Sequence, residues 1–259
     1  MTPKQLDHTH YKYWSRLQFS KLRGCVAFLE TVDASGDVSI GTGFHVGEGV
    51  FVTARHVVEG RTISAIGFDD IDIALELMLK PRHQAPKQHG AVSILRGPYF
   101  HRDPTIDVAC FKGDPYPRTF IPLGGHLDDL MGQYEFVLHR TLVIGYPPIP
   151  FADRPVLVAS VGEVNALIEK YTGGHPHFII STMARGGFSG APVLVAYDED
   201  NPKAGTALLG LVTESLGKNG RDPELGYMAV LTVEPLYTCL EAHGLLPQCQ
   251  SLDADGKRA

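Results

Sequence analysis

The sequence GTGFHVGEGVFVTARHVVEG occupies residues 41–60 and combines β-prone residues, spaced glycines and two histidines, of which His56 lies near its end. Runs of Val, Phe and Thr separated by glycine predict two short strands, 38–46 and 50–54. His56 follows the second of these strands. A histidine in such a place is commonly structural, because a half-buried imidazole can bond a nearby carbonyl. Its meaning therefore depends on which other reactive residues the chain supplies.

Two further fragments supply residue types that complete a known kind of chemistry. TIDVACF, residues 105–111, places Asp107 before a short apolar strand, and ARGGFSGAPVL, residues 184–194, places Ser189 in a glycine-rich turn. A serine hydroxyl becomes a nucleophile only when a base takes its proton and a carboxylate fixes the tautomer of that base. Glycines in the turn let backbone N–H groups converge on a developing oxyanion. Each fragment alone is a weak signal, and together they indicate acyl transfer.

The composition excludes several classes of protein. Apolar residues make up 44% and charged residues 20% of the 259 residues, which is typical of a folded globule rather than a disordered chain. A net charge of -6 does not favour non-specific binding to nucleic acid. The sequence contains no run of 18 apolar residues, so it predicts no membrane-spanning helix. The N-terminus lacks the apolar stretch of a secretory signal, so we expect a cytoplasmic protein.

The cysteines and histidines do not indicate a metal or another cofactor. Cys25, Cys110, Cys239 and Cys249 show no zinc-ligand spacing, and we expect them to be reduced thiols packed as small hydrophobic side chains. The pair His175 and His177 lacks a third ligand in sequence and is interpreted as part of a solvated turn. We therefore predict no cofactor and no metal site.

The order of elements predicts a largely β protein. Residues 1–23 form an N-terminal helical extension, 24–112 a first β unit, 113–133 a Pro- and Gly-rich linker, 134–244 a second β unit with a closing helix, and 245–259 a flexible tail. The predicted strands share β-prone composition and turn residues at their ends. They are 25–31, 38–46, 50–54, 62–68, 72–80, 106–111, 135–144, 156–168, 177–181, 191–196, 207–213 and 227–232. Two β units of similar size suggest paired barrels.

The fragments, read in order, resemble the trypsin/chymotrypsin-like serine proteases, and most closely the HtrA/Deg-type protease domain without its PDZ module. Six fragments spread over about residues 24–243 carry the resemblance. They are Gly41–Phe44, Val52–Val58, Asp107–Cys110, Val143–Pro147, Val158–Val164 and Gly187–Gly190. The resemblance implies an all-β fold of two six-stranded antiparallel β-barrels with an active site in the cleft between them.

The same resemblance implies a role for individual residues. His56 would be the general base, Asp107 would orient it, and Ser189 would form the acyl-enzyme. The backbone N–H groups of Gly187 and Ser189 would form the oxyanion hole. An extended protein or peptide substrate would pair with the strand around residues 210–215, and the side chains expected to contact it are Met183, Thr213, Glu214, Ser215 and Tyr227.

Three positions depart from the family pattern. Phe188 stands where the digestive proteases have the Asp that receives a freed N-terminal amine, so we expect no activation of that kind. Met183 stands where trypsin has its basic-selecting Asp, so we expect cleavage after apolar residues of modest size. Arg55 precedes His56 and is expected to point away from it as a solvated charge. Control of activity would then come from loops, residues 1–23 or a regulatory protein partner.

Two alternative functions fit part of the sequence. Gly187–Ala191 nearly matches the nucleophile elbow of esterases, with Asp222 and His243 following in the α/β-hydrolase order, although the elbow needs a helix after its serine. A protease fold that binds partners without cutting them is the second alternative. Its usual signature is the loss of a triad residue, and all three residue types are present here.

Overall fold

The strands of the protein form two six-stranded antiparallel sheets. The computed structural model describes residues 7–68, 92–125, 135–168, 174–183, 186–197, 205–216 and 226–250, and the secondary structure of these residues is mostly β with few helices. Six strands belong to the first half: β1 Val26–Val32, β2 Val38–Gly47, β3 Val50–Thr53, β4 Thr62–Phe68, β5 Ser93–Phe100 and β6 Ala109–Asp114. Six belong to the second: β7 Arg140–Gly145, β8 Val158–Ile168, β9 His177–Ser181, β10 Pro192–Tyr197, β11 Gly205–Leu216 and β12 Tyr227–Thr232.

The first sheet has the order β4-β1-β2-β3-β6-β5 and curves into a half-barrel. Its central strands are buried on both faces: β3 is buried along its whole length and β2 from Gly41 onward. The two edge strands approach each other where the Val92 N–H donates to the Ile66 carbonyl at 3.3 Å. Stacked aromatic rings of Phe51 and Phe111, with centroids 5.2 Å apart, fill the interior.

The second sheet is a closed barrel with the order β10-β11-β12-β9-β8-β7. Closure is visible at Val143 of β7, which lies opposite Ser160 of β8 on one side and Val193 of β10 on the other. Because every strand then has two neighbours, neither side of the sheet is left as a continuous free edge.

Helical segments at both ends of the chain pack on the sheets. The N-terminal helix Asp7–Leu22 attaches to the second barrel through Trp14, whose Nε1–H donates to Thr206 Oγ1 at 3.0 Å. The C-terminal helix Glu234–Ala242 buries its apolar face against the first sheet and the second barrel. None of the helices in the described part of the chain has the length and apolar character needed to cross a membrane.

The tail differs from the prediction of a flexible segment from residue 245. A 3-10 helix, Gln248–Gln250, lies on the first sheet, and the Gln250 side chain is buried. Its amide nitrogen donates to the carbonyls of Val46 and Ile121 at 2.6 and 3.0 Å, and its oxygen accepts the Leu123 N–H at 3.0 Å. Sequence pattern missed this because the anchoring groups are backbone atoms far away along the chain. Residues 251–259 lie outside the described residues.

The predicted fold class is confirmed, and the strand bounds differ in places. The bounds of β4, β9 and β12 are those predicted, whereas β5 was missed. Its Gly97-Pro98 pair conceals the strand signal, and the β5–β6 register shifts around that pair, which accommodates a residue without an N–H. Residues 135–138 form a turn rather than a strand, with Leu138 at a φ of 71°. The predicted strand 72–80 lies outside the described residues.

Candidate active site

His56 and Asp107 meet because their strands are antiparallel neighbours. β3 pairs with β6, and the last pair of that ladder joins Thr53 to Ala109. The chain leaves β3 just after Thr53 and enters β6 just before Ala109, so residues that follow the one and precede the other lie at the same end of the sheet. His56 belongs to a short helix, Arg55–Val58, that begins directly after β3.

The Asp107 carboxylate holds His56 by two hydrogen bonds. The His56 backbone N–H donates to Oδ1 at 2.9 Å, and the ring Nδ1 lies 2.7 Å from Oδ2. A carboxylate only accepts, so Nδ1 carries the proton, and Nε2 of the neutral ring is the atom left as a base. The His56 side chain is half exposed and that of Asp107 is 28% exposed, so the ring is fixed on one edge and accessible on the other.

Ser189 lies in a tight turn pressed against the first sheet. Its carbonyl accepts the Thr42 N–H at 3.0 Å, which ties the turn to β2. Gly190, with a φ of 82°, approaches so closely that a Cβ there would lie 2.4 Å from Thr53 Oγ1 and 2.9 Å from the Ala54 nitrogen. The turn therefore lies against Thr53 and Ala54, just before the short helix that carries His56.

The three predicted catalytic residues are joined to different degrees. His56 and Asp107 are hydrogen-bonded side chain to side chain, and Ser189 reaches the same end of the first sheet through its backbone. Among the described residues, the Ser189 hydroxyl makes no hydrogen bond to His56. In unliganded hydrolases this bond is often long and tightens when substrate binds.

A cleft of about 320 Å³ opens between the two halves beside Asp107. Thr105, Ile106 and Asp107 line it from the first sheet, and the second barrel contributes His177, Thr213, Glu214 and Leu231. His177 is 3% exposed in β9, so its interpretation as part of a solvated turn is wrong. Burial lowers the pKa of His177, and the ring Nδ1 bonds the His175 carbonyl at 2.9 Å. No group of three potential metal ligands occurs among the residues that the structure describes.

The predicted substrate-contacting residues collect at one end of the second barrel. β11 pairs with β10 as far as Leu211, and Val212 still exchanges backbone hydrogen bonds with Gly190 and Ala191, at 2.7 and 2.9 Å. In the described part of the sheet, residues 214–216 pair with β12 alone. Thr213, Glu214 and Ser215 lie on this stretch, where a register shift follows Val212. Tyr227 begins β12 opposite Ser181, and Met183 follows two residues after Ser181 with 42% of its surface exposed. The stretch therefore has room for an added strand.

Arg55 is not the solvated charge that strand alternation predicted, because it begins a helix rather than ending a strand. Its side chain is only 16% exposed and bonds Glu59 through Nε and Nη2 at 2.9 and 2.6 Å. The guanidinium also lies over the Phe100 ring, 4.8 Å from its centroid. The hydrogen bond to Glu59 raises the Arg55 pKa. These contacts hold the base of the helix that carries His56.

The esterase alternative disagrees with the structure. Ser189 is followed by strand β10 and not by the helix that a nucleophile elbow requires. His243 stacks on Tyr99, with centroids 4.8 Å apart, and its Nε2 lies 2.8 Å from the Phe100 carbonyl. It is therefore occupied in the first half of the molecule. Asp222 lies outside the described residues.

The sequence matches the family model of the trypsin-like peptidase domain over residues 41–199, which include His56, Asp107 and Ser189. The chain belongs to this family. Membership supports a serine protease type of function for this peptidase domain. A search of curated proteins found no match.

Solved structures show the same fold as the peptidase domain at low sequence identity. The active form of the Rv3671c protease from M. tuberculosis is 17% identical with a TM-score of 0.57, and the match covers 86% of this chain and 82% of that one. The inactive form of the same protease is 16% identical with a TM-score of 0.56, and the match covers 88% of this chain and 93% of that one. The HtrA-type protease AlgW, solved with a tripeptide, is 18% identical with a TM-score of 0.58, and the match covers 89% of this chain and 62% of AlgW.

Proposed function

We propose that the protein is a serine endopeptidase that hydrolyses peptide bonds of protein substrates through an acyl-enzyme on Ser189. The observation that carries the proposal is the pair of hydrogen bonds from His56 to Asp107, at 2.7 and 2.9 Å. They fix both the orientation and the tautomer of the ring, which is what a base needs in order to accept a proton on Nε2.

In the proposed reaction, His56 takes the Ser189 proton while the hydroxyl oxygen attacks the scissile carbonyl. The negative oxygen that forms is met by the N–H groups of Gly187 and Ser189. His56 then gives its proton to the leaving amine, which breaks the peptide bond and leaves an ester on Ser189. Water, deprotonated by His56, cleaves the ester and regenerates the hydroxyl. Asp107 stays ionised throughout and stabilises the imidazolium.

Substrate binding is proposed to use the open stretch of β11. An extended peptide that adds to residues 213–215 would gain main-chain hydrogen bonds, and its alternate side chains would face the barrel end or the cleft. Met183 offers no carboxylate to a basic side chain, which supports cleavage after apolar residues of modest size. A peptide library in which Arg or Lys dominates before the scissile bond would contradict this preference.

The turn that carries Ser189 supports the proposal that no N-terminal amine activates the enzyme. Phe188 is fully buried, and its ring packs closely against Gly145. A Cβ added to Gly145 would lie 2.8 Å from Cδ1 of Phe188. An apolar side chain anchors the turn in the core, so an incoming ammonium group would have no carboxylate to pair with there. Activity that depends on cleavage near the N-terminus would contradict this.

The compartment and the control of activity are two further parts of the proposal. All four cysteines are free thiols, three of them buried, which supports a reducing compartment such as the cytoplasm. We also propose that a protein partner regulates the site, because a protease that is always active would degrade proteins that are not its substrates. Fast, unprompted degradation of unrelated unfolded proteins by the purified chain would contradict the second proposal.

A serine-reactive phosphonate probe tests the proposed function directly. It should label the wild-type protein on one residue, and Ser189→Ala should abolish both the label and peptide hydrolysis. Ser93→Ala is the matched control, since Ser93 is an exposed serine on β5 and should leave both unchanged. A wild-type protein that neither takes the probe nor cleaves any member of a peptide library would support the binding protein without catalysis instead.

A further inference from the structure

Thr42 occupies a buried position between the two halves of the molecule. It belongs to the Gly41–Phe44 fragment, lies on β2, and has no exposed surface. The β2 strand belongs to the first sheet, yet the Thr42 side chain is directed toward segments of the second half. A small polar side chain in such a place must satisfy its hydroxyl from within the protein.

All three polar groups of Thr42 are hydrogen-bonded. The hydroxyl donates to the Gly187 carbonyl at 2.7 Å and accepts the Tyr146 N–H at 2.9 Å. The Thr42 N–H donates to the Ser189 carbonyl at 3.0 Å, and its carbonyl accepts the Thr53 hydroxyl at 2.6 Å. One residue therefore connects the turn of Ser189, the end of β7 and the strand that leads to His56.

We propose that Thr42 is a positioning residue that holds residues 187–189 in the conformation required of an oxyanion hole. It binds both ends of this three-residue segment, Gly187 through its side chain and Ser189 through its backbone. These carbonyls belong to the Gly187–Phe188 and Ser189–Gly190 peptide planes. Each of these planes adjoins, through the Cα of Gly187 or Ser189, the plane that carries that residue's own N–H, so fixing them restricts how the two N–H groups of the proposed oxyanion hole can turn. The inference rests on the proposed function, and it assigns to Thr42 a role that acts through the segment and not through the substrate.

The surroundings show why a hydroxyl is needed at this place. Gly145 has no side chain, and this leaves room for the Thr42 hydroxyl and the Phe188 ring, since a Cβ on Gly145 would lie 2.9 Å from Thr42 Oγ1. Gly187 has a φ of 84° and a left-handed conformation that few residues adopt. Within the turn, the Phe188 carbonyl accepts the Ala191 N–H at 2.8 Å, whereas the carbonyls at the two ends of residues 187–189 are bonded by Thr42.

Thr42→Val removes the hydroxyl at nearly constant shape, and Thr42→Ser keeps it. The control is Thr141→Val, because Thr141 is also buried and its Oγ1 has no hydrogen-bond partner among the described residues. Hydrolysis of a peptide substrate gives kcat and KM for each variant. A peptide aldehyde, which forms a tetrahedral adduct with the serine, is compared with the corresponding product peptide, which does not.

Direct loss of an oxyanion-hole donor costs about 10²–10³-fold in kcat, and we expect a smaller loss of about 10–100-fold when its support is removed. In Thr42→Val, kcat should fall by this factor with KM changed less than about threefold, since the interaction is made in the transition state. Aldehyde affinity should weaken by a similar factor while product-peptide affinity is retained. Thr42→Ser should stay within about threefold of wild type, as should Thr141→Val, and the pH profile should not move.

The outcomes separate this inference from the proposed function. A wild-type protein without hydrolysis or phosphonate labelling would overturn both. An active wild type with a Thr42→Val variant of unchanged kcat and aldehyde affinity would overturn the inference alone. If Thr42→Val does not fold, Thr42→Ser and Thr42→Ala differ only in the hydroxyl, and equal kcat values for these two would likewise overturn it.

Discussion

Gly190, directly after Ser189, allows the closest contact between the nucleophile turn and the first sheet, and Gly190→Ala tests how much that contact depends on a missing side chain. The residue has a φ of 82°, and an added Cβ would lie 2.1 Å from the Thr42 carbonyl oxygen. Ordinary contacts begin near 3.4 Å, so the atoms must separate by roughly 1 Å. Both sides of this contact are backbone, which cannot rotate away as a side chain would.

The expected loss of stability has two parts. A left-handed conformation costs a residue with a Cβ about 1–2 kcal/mol. Overpacking of a rigid interior site adds about 1–3 kcal/mol. Gly190→Ala should therefore lower the free energy of unfolding by about 2–5 kcal/mol, against a total of about 5–15 kcal/mol for an ordinary domain. Gly36→Ala is the matched control, because Gly36 has a φ of 90° and nothing within 4 Å of an added Cβ, so only the first part applies.

Urea unfolding followed by circular dichroism and by the fluorescence of Trp14, the single tryptophan, measures both variants. The m-value should stay constant so that midpoints can be compared. At temperatures where Gly190→Ala is folded, kcat/KM should also fall more than in Gly36→Ala, since the displaced atoms adjoin Ser189. Equal losses of stability in the two variants would refute the reasoning, because they would mean that the close approach carries no energy.

Three other changes address separate parts of the structure. Asp107→Asn should lower kcat about 10³–10⁴-fold with little effect on KM, because an amide N–H₂ facing the ring favours the wrong tautomer of His56. Peptide hydrolysis with an unchanged kcat would contradict the role assigned to Asp107. Gln250→Ala leaves two carbonyls and one N–H without their partner and should cost about 2–4 kcal/mol in urea unfolding, whereas Gln248→Ala at an exposed position should cost less than about 0.5 kcal/mol. Burial lowers the pKa of His45, which is 1% exposed, so below the ordinary histidine pKa of about 6.5 the unfolded chain binds more protons than the folded one. The free energy of unfolding should then decrease from pH 7.5 to pH 5.5, and a His45→Gln variant with an equally steep pH dependence would show that His45 is not responsible.

The site combines local supports that act on different catalytic parts. Arg55, paired with Glu59 and stacked on Phe100, holds the short helix that presents His56. Phe188 anchors the nucleophile turn by burial, and Thr42 directs it by hydrogen bonds. Arg55 and Phe188 each act on one of the two parts, whereas Thr42 also accepts the Thr53 hydroxyl from the strand that leads to His56. Variants of Arg55 should therefore leave the nucleophile turn in place.

Local sequence pattern determined most of the strands and the residue types of the site. Strand periodicity and turn residues are properties of neighbouring residues, so β4, β9 and β12 could be read from the sequence alone. The order of His56, Asp107 and Ser189 in recognisable fragments indicated the residue types of the chemistry. β5 escaped because its Gly97-Pro98 pair interrupts the local pattern that a strand normally shows.

Tertiary structure alone decided which distant groups bond. The Thr42 hydroxyl reaches a carbonyl 145 positions away, and the Gln250 amide reaches one 204 positions away. Neither contact leaves a mark in the sequence, because the partner is a backbone atom that every residue possesses. The identity of the residues set the strands and the reactive side chains. Only the closing of one barrel and the packing of the other sheet against it brought those backbone acceptors within reach.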